Sequence, residues 1–318
     1  MRSAACERLD GPRGDFADAV LTGLAGGPKS IPSRFFYDAK GSELFEQITE
    51  LEEYYPTSAE IALLDAHADE MAELAGPGVS LVEFGSGSSR KTDSLIEALA
   101  DLDSYVPIDI SDAALAGAAS RLRGKYPDLD VWPLHGDFNS RLELPKPIRT
   151  RKKLGFFPGS TIGNLTRPDA RQFMENSRSL LGANCAFSVG VDLKKDLGRL
   201  LPAYNDSLGV TAAFNLNLLE RINRELEGDF DVSRFAHEAI YNDAEGRIEM
   251  HIRSLEDQTA EVLGERFRFV RGETIHTENS HKYGVEEFQT LARSAGWTPV
   301  KVWTGAERLF SVHYLVPA

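Results

Sequence analysis

Chemistry in this chain gathers where apolar runs end. The run Val79-Ser-Leu-Val-Glu-Phe passes into Gly85-Ser-Gly-Ser-Ser-Arg-Lys-Thr92, and apolar residues at helical spacing follow through Leu99. Lacking a Cβ, Gly85 and Gly87 let the backbone come close to a ligand at the carboxyl end of a buried strand, which is a nucleotide site in outline. The dinucleotide fingerprint needs a third glycine inside the helix; here Ser-Ser-Arg-Lys follows instead. A second run, Tyr105-Val-Pro-Ile-Asp-Ile, ends in the carboxylate of Asp109, where such a fold grips a ribose with free hydroxyls. Ser111 and Asp112 are already placed to cap the next helix, so Asp109 is not needed for that. Asn164, in a small-residue loop after the run Lys153-Leu-Gly-Phe-Phe, can donate its amide to a carboxylate without bringing a full charge, or can simply form the turn. His276, Glu278, Ser280 and His281 superficially suggest a metal site. Their alternating spacing is not a helical i, i+4 pair, so no metal is expected.

The elements that must position these groups read as a doubly wound α/β half. Strands are expected where Val79, Leu81 and Val82 fall, and at Tyr105–Asp109, Val131–Leu134 (with Gly136-Asp-Phe at its end), Lys153–Phe157 and Cys185–Val191, the last ending in Asp192. A helix from Pro168 to Leu181, capped by Thr166, lies between the last two. From Lys194 the rhythm breaks into a helical stretch from Tyr204 to Leu226 and strands Arg234–Ile240 and Ile248–Ile252, joined by a polar turn. A helix Val285–Ala295 and strands Thr298–Trp303 and Phe310–Val316 return to the first sheet. The domains expected are thus 61–193 with 284–318, into which an α+β segment 194–283 is inserted; 16–60 accompanies the insertion. Near the start, Phe16, Val20, Leu21 and Leu24 mark an amphipathic helix, and 1–15 has no periodicity and is expected to be disordered. Pro56 argues against helix at Tyr55, so Thr57 or Ser58 is expected to cap the helix carrying Ile61, Leu63 and Leu64.

Composition narrows the function classes. With 42% hydrophobic and 26% charged residues over 318 positions, the chain has the make-up of a soluble globular protein. No apolar run approaches the roughly 18 to 20 residues that cross a bilayer, and charge breaks the first ten residues too early for a signal-peptide apolar region. A cytoplasmic location is expected. A net charge of −14 repels phosphate backbones, so a small molecule is the expected partner rather than nucleic acid or membrane. Cys6 and Cys185 form no disulfide framework and no metal spacing.

The glycine loop resembles the E/D-x-G-x-G loop of S-adenosylmethionine-dependent methyltransferases. Beyond it, four stretches resemble the histidine Nα-methyltransferases of ergothioneine biosynthesis: Phe36-Tyr-Asp-Ala-Lys-Gly-Ser with Glu53-Tyr-Tyr-Pro-Thr, Pro158-Gly-Ser-Thr-Ile-Gly-Asn-Leu-Thr, Tyr204-Asn-Asp-Ser-Leu-Gly-Val-Thr-Ala-Ala-Phe-Asn, and Arg247-Ile-Glu-Met with His276-Thr-Glu-Asn-Ser-His-Lys-Tyr. The resemblance covers about residues 16–318. It implies a Rossmann-like class I methyltransferase sheet with an inserted substrate-binding domain. It also implies S-adenosylmethionine as methyl donor, S-adenosylhomocysteine as product, and L-histidine converted by three methylations to the betaine hercynine. Residue by residue, it implies that Gly85 and Lys91 belong to the cofactor loop, that Asp109 holds the ribose hydroxyls, and that Asp137 and Phe138 hold and stack the adenine. Asn164 and Tyr204 match the residues gripping the substrate carboxylate; Tyr37, Gly159 and Thr161 those lining the reacting amine; Tyr54, Glu278 and Ser280 those recognising the imidazole. Ser88 stands where the family often has threonine, and His281 falls at a variable position. Read by themselves, Tyr37 and Tyr54 could be core aromatics. Two rivals remain at this stage: an Nα-methyltransferase for another amino acid such as tryptophan, and a module that binds S-adenosylmethionine without catalysis.

Overall fold

The computed structural model describes residues 12–87, 90–99, 101–138 and 140–318. They fall into two compact units, one made of residues up to Tyr54 together with Asp196–Ser280, the other of Tyr55–Lys195 together with His281–Ala318. The boundary expected at 60/61 therefore falls at 54/55, because Tyr55 opens a single helix, Tyr55–Ala75. Pro56 does not exclude Tyr55 from that helix: in the first turn the missing N–H has no intrahelical partner to lose. Ser58 accordingly lies inside the helix, its hydroxyl donating to the carbonyl of Tyr55. Residues Pro12–Ala25 form a helix, so 12–15, expected to be unstructured, are ordered; the remainder of that stretch lies outside the described residues, as does Ser88.

In the second unit, the described residues form an eight-stranded sheet. Its order is Trp297–Thr304, Phe310–Pro317, Cys185–Asp192, Lys152–Phe157, Val79–Phe84, Ser104–Asp109, then Asp130–Val131, with Leu134–His135 also on Ser104–Asp109. The strands from Cys185–Asp192 onward pair in parallel, and the last two in sequence pair antiparallel, giving the class I methyltransferase sheet that was expected. Both faces are covered. Leu81, Tyr105, Leu154 and Phe156 pack on one side with Leu63 and Leu64 of helix Tyr55–Ala75, whereas Val82, Phe84, Val106, Ile108 and Phe157 pack on the other with Phe173, Phe187 and Trp297. That alternation inside nearly continuous apolar runs marks a parallel sheet buried on two sides. The strand expected over Val131–Leu134 is split at Pro133, which has no N–H for the ladder.

In the first unit, Lys29–Ser30, Thr274–His281, Arg247–Ser254 and Phe235–Asn242 form a four-stranded sheet. Helix Val210–Glu225 buries Phe214, Leu218, Leu219 and Ile222. The long helix expected from Tyr204 starts later because Gly209 sits at φ 72°, outside the helical region. Before it, Pro202–Tyr204 is a short 3-10 turn. A hairpin that the sequence reading missed, Gln258–Val262 with Glu265–Phe269, turns on Leu263-Gly264, both at positive φ.

Glu83 is the costly residue of the central strand. It is 1% exposed, accepts a hydrogen bond from the Thr92 hydroxyl at 2.7 Å and another from the Tyr105 hydroxyl, and burial raises its pKa to about 7 in spite of both bonds. A carboxyl whose folded pKa lies above its unfolded value of 4.5 contributes stability that is present below pH 4.5 and lost as the pH rises through about 7. The loss is on the order of 3 kcal/mol, the shift multiplied by about 1.4 kcal/mol per unit. Replacing it by glutamine should remove this loss. Thermal unfolding of Glu83→Gln and the parent protein from pH 4.5 to 8 should show the variant gaining on the parent as pH rises; a constant difference would mean that Glu83 does not titrate in this window.

Candidate functional site

The glycine loop leaves strand Val79–Phe84 through Gly85, whose N–H donates to the Ile108 carbonyl at 2.8 Å. Gly85 has φ 72°, where a side chain would be strained, and a Cβ there would lie 3.6 Å from the ring of Phe138. Phe138 is held from behind by Phe157 and Phe173, with ring centroids 5.4 and 5.5 Å away. An aromatic ring thus stands beside Gly85, which has no side chain to cover it. At the end of the neighbouring strand the Asp109 carboxylate accepts the N–H of Gly87 at 3.2 Å and of Ser111 at 2.9 Å. A carboxylate offers about four acceptor positions, so capacity remains for two hydroxyls. Gly85, Asp109, Asp137 and Phe138 therefore converge at the carboxyl edge of the sheet, and they fit an adenosine whose ribose hydroxyls are free.

Lys91 belongs to the same unit but is engaged with protein. Its ammonium lies 2.8 Å from Oε2 of Glu60, a carboxylate with no exposure. Glu60 also accepts the N–H of Gly159, at 3.0 Å to Oε1 and 2.8 Å to Oε2. Past Gly159, Ser160 takes the left-handed conformation (φ 55°), unusual for a residue with a Cβ, and its hydroxyl accepts the Asp192 N–H at 2.9 Å. A 3-10 turn, Thr161–Asn164, follows. Thr161 spends its hydroxyl hydrogen on the Pro158 carbonyl, 2.9 Å away, which leaves its oxygen as an acceptor. Asp192, at the end of strand Cys185–Asp192, gathers the Tyr55 hydroxyl (2.8 Å to Oδ2), Lys282 (2.7 Å) and Lys195. Burial pushes the Asp192 carboxyl up, but the two ammonium groups outweigh it and hold the group below its ordinary value.

The other five predicted residues, Tyr37, Tyr54, Tyr204, Glu278 and Ser280, lie in the first unit. Tyr37 is fixed by its neighbour: Asp38 caps helix Ala39–Thr49 by accepting the Gly41 N–H at 2.7 Å and takes the Asn217 amide at 2.8 Å. Rings run on from there, Tyr37 to Phe45 at 5.6 Å, Phe45 to Tyr54 at 6.4 Å and Tyr54 to Tyr204 at 6.2 Å. Tyr204 is held through its backbone. His237 Nε2 bonds its carbonyl at 2.8 Å, Asn205 bonds both backbone groups of Ala239, and Asp206 accepts the N–H groups of Val210 and Thr211 to start the next helix. Its hydroxyl meets the Ser280 hydroxyl at 2.8 Å. Glu278 is two residues earlier on strand Thr274–His281, hence on the same side as Ser280.

Three arrangements escaped the sequence reading. Glu60 had a signal, for it falls on the apolar stripe Pro56, Leu63, Leu64, where a charge needs a buried partner. The relay Thr277, Asn215, His237, in which the Thr277 hydroxyl reaches Asn215 Oδ1 and Asn215 Nδ2 reaches His237 Nδ1, had none, since it joins three distant segments. Finally, Glu249, His251 and His276 bring one ligand atom each within 4.8 Å of one another, a set different from the alternating cluster weighed in the sequence. Glu249 is already committed. Burial raises its pKa, yet bonds from Asn242, Arg247 and His251 prevail and lower it to about 2. Cys185 donates its thiol to the Gly182 carbonyl, and burial pushes it up to about 11, which leaves it unreactive.

A protein 42% identical over 290-odd residues is the histidine N-alpha-methyltransferase of Mycobacterium tuberculosis (90% of this chain, 89% of that one). The enzyme of the same name from Mycolicibacterium smegmatis is 40% identical over the same shares. Among solved structures, a Pyrococcus horikoshii OT3 protein matches with TM-score 0.50 at 15% identity, covering 84% of this chain and 100% of its own, which supports the fold alone. The model of the family described as histidine-specific, S-adenosylmethionine-dependent methyltransferases matches residues 16–317, and the chain belongs to that family.

Proposed function

We propose that the protein transfers methyl groups from S-adenosylmethionine to the α-amino nitrogen of free L-histidine, three times in succession, giving hercynine for ergothioneine biosynthesis. The observation that carries the reading furthest is the Tyr204–Ser280 hydroxyl pair, with Glu278 on the same side of the strand. A neutral imidazole has one N–H and one bare nitrogen, so a pocket specific for it needs an acceptor and a hydroxyl donor. Glu278 is the acceptor and Ser280, with Tyr54, the donor; Tyr204 and Asn164 take the substrate carboxylate. When bound, S-adenosylmethionine supplies an electrophilic methyl on a sulfonium and leaves as S-adenosylhomocysteine.

The chain's own part is orientation. Gly85, Lys91, Asp109, Asp137 and Phe138 fix the donor, and Tyr37, Gly159 and Thr161 line the amine so that its lone pair points along the line of transfer. An amine must be neutral to attack, so a proton leaves before each transfer, to water or through the hydroxyl of Tyr37 or Thr161. The Thr161 oxygen is left as a hydrogen-bond acceptor for the amine, because its own hydrogen is spent on the Pro158 carbonyl. A rim of aromatic rings tolerates the cation as it grows. Incubation with S-adenosylmethionine and a panel of amino acids tests the whole reading: histidine should gain one, two and three methyl groups by mass, and a preference for tryptophan would replace it with the rival.

Asp109→Ala should weaken S-adenosylhomocysteine by roughly 10- to 100-fold, since charge-assisted bonds to hydroxyls are lost, and should leave the KM for histidine nearly unchanged. Calorimetric titration reads this, and an unaltered affinity would remove Asp109 from the cofactor site. Glu278→Ala should lower kcat/KM for histidine by about 10²-fold while sparing the trace rate with phenylalanine or tryptophan, because a site built to bond a polar group rejects analogues that lack it. Equal proportional losses for all three amino acids would assign Glu278 to the fold or to the amine instead.

A further inference from the structure

We propose that Glu60 is a positioning residue for methyl transfer: one buried carboxylate that sets the loop facing the amine in register with the cofactor loop. The proposal rests on the roles just given to Gly159, Thr161 and Lys91. Glu60 lies on helix Tyr55–Ala75, is fully buried, and joins three separate segments of the second unit. Its two oxygens take the Gly159 N–H, and Oε2 also takes the Lys91 ammonium. Gly190 of strand Cys185–Asp192 makes room, since a Cβ there would lie 2.1 Å from Oε1. Nothing in the fold of a helix calls for a carboxylate on its apolar stripe; its partners are on other segments. A buried anion is retained where its partners must be held in place.

The chemistry explains why the hold matters. Gly159 is the first residue of the loop lining the amine, and a Cβ built on it would be 3.3 Å from Thr161 Oγ1 and 3.4 Å from Lys91 Nζ, so these groups are near neighbours. The next residue, Ser160, has its own anchor on Asp192. Loss of the Glu60 contact therefore frees the Gly159 end alone and lets Lys91 leave the cofactor loop's arrangement. In-line transfer is sensitive to displacements of this kind, whereas contacts to the substrate's carboxylate and imidazole are made by other residues.

Glu60→Gln keeps the size and can leave a carbonyl oxygen at the Oε2 position, but it removes the negative charge opposite the Lys91 ammonium and sets an N–H₂ where Oε1 accepted the Gly159 N–H at 3.0 Å. In the full chain, Glu60→Gln should lower kcat for histidine by about 10²-fold with the KM for histidine within about threefold. S-adenosylhomocysteine should bind about tenfold more weakly, and the loss should vanish in a Lys91→Met background, the non-additivity expected of directly coupled residues. Should the glutamine variant not fold, Glu60→Asp retains the charge at a shorter reach; a fall in its kcat with cofactor affinity kept supports the proposal. Lower melting temperature alone, with kcat per folded molecule and both affinities unchanged, would overturn it, as would additive losses in the double variant. Failure of the histidine reading shows differently: the parent protein would yield no methylated histidine, and the coupling of Glu60 to Lys91 would still be decided by titration with S-adenosylhomocysteine.

Discussion

One carboxylate, that of Asp192, stands where the chain is most constrained. The polypeptide passes from one compact unit to the other after Tyr54, after Lys195 and after Ser280, and the three partners of Asp192 are Tyr55, Lys195 and Lys282. Each crossing is thus fastened, within the second unit, to the same buried anion at the end of a central strand. Breaking a buried ion pair by removing one member costs about 3–5 kcal/mol, because the charge left behind has lost both water and partner. Here two ammonium groups share one carboxylate, so its removal takes the same counter-ion from both. The backbone N–H of the same residue donates to Ser160, and through it the strained turn that precedes Thr161 and Asn164 is tied to the same point. A buried ion-pair centre and the loop proposed to face the substrate are consequently tied at one residue.

A similar economy governs the central strand. Parallel strands covered on both faces leave no solvent for a charged side chain, yet this sheet and its covering helix carry Glu83 and Glu60 at 1% and 0% exposure. They resolve the penalty in opposite ways. Glu83 has two hydroxyl donors beside it and, among the described residues, no contacting cation, and its pKa rises toward neutrality. Glu60 has a lysine and a backbone amide, a pairing that keeps both members in one geometry. The first arrangement bonds Thr92, at the end of the glycine loop's 3-10 turn, and the second bonds Gly159, in the loop proposed to line the amine.

What the sequence made legible follows the same logic. The apolar runs and the loops at their ends were readable because a doubly covered sheet demands near-continuous hydrophobic strands and because glycines are needed where the chain turns under a ligand. Thr166 was readable as a cap because the hydroxyl of a residue just before a helix is what satisfies its first N–H groups. Local rules failed where a local preference met a position that suspends it. Pro56 entered a first turn, Pro133 split a strand, and the expected helix from Tyr204 gave way at Gly209. Each error came from applying an average tendency to an exceptional site.

The functional groups divide along the same line. Asp109, Gly85 and Asn164 lie at strand ends, where period and turn chemistry point to them. Tyr37, Tyr54 and Tyr204 do not, for an aromatic ring in a core and an aromatic ring in a binding wall look identical in sequence. Resemblance alone could raise them. Polar contacts fix two of them: Tyr37 follows a 3-10 turn and precedes a capping aspartate, and Tyr204 has its carbonyl held by strand Phe235–Asn242 and its hydroxyl by strand Thr274–His281. The expenditure of backbone hydrogen bonds on fixing the orientation of a hydroxyl is intelligible when that hydroxyl must meet a polar ligand, since a site that recognises by hydrogen bonding discriminates only as sharply as its donors are held.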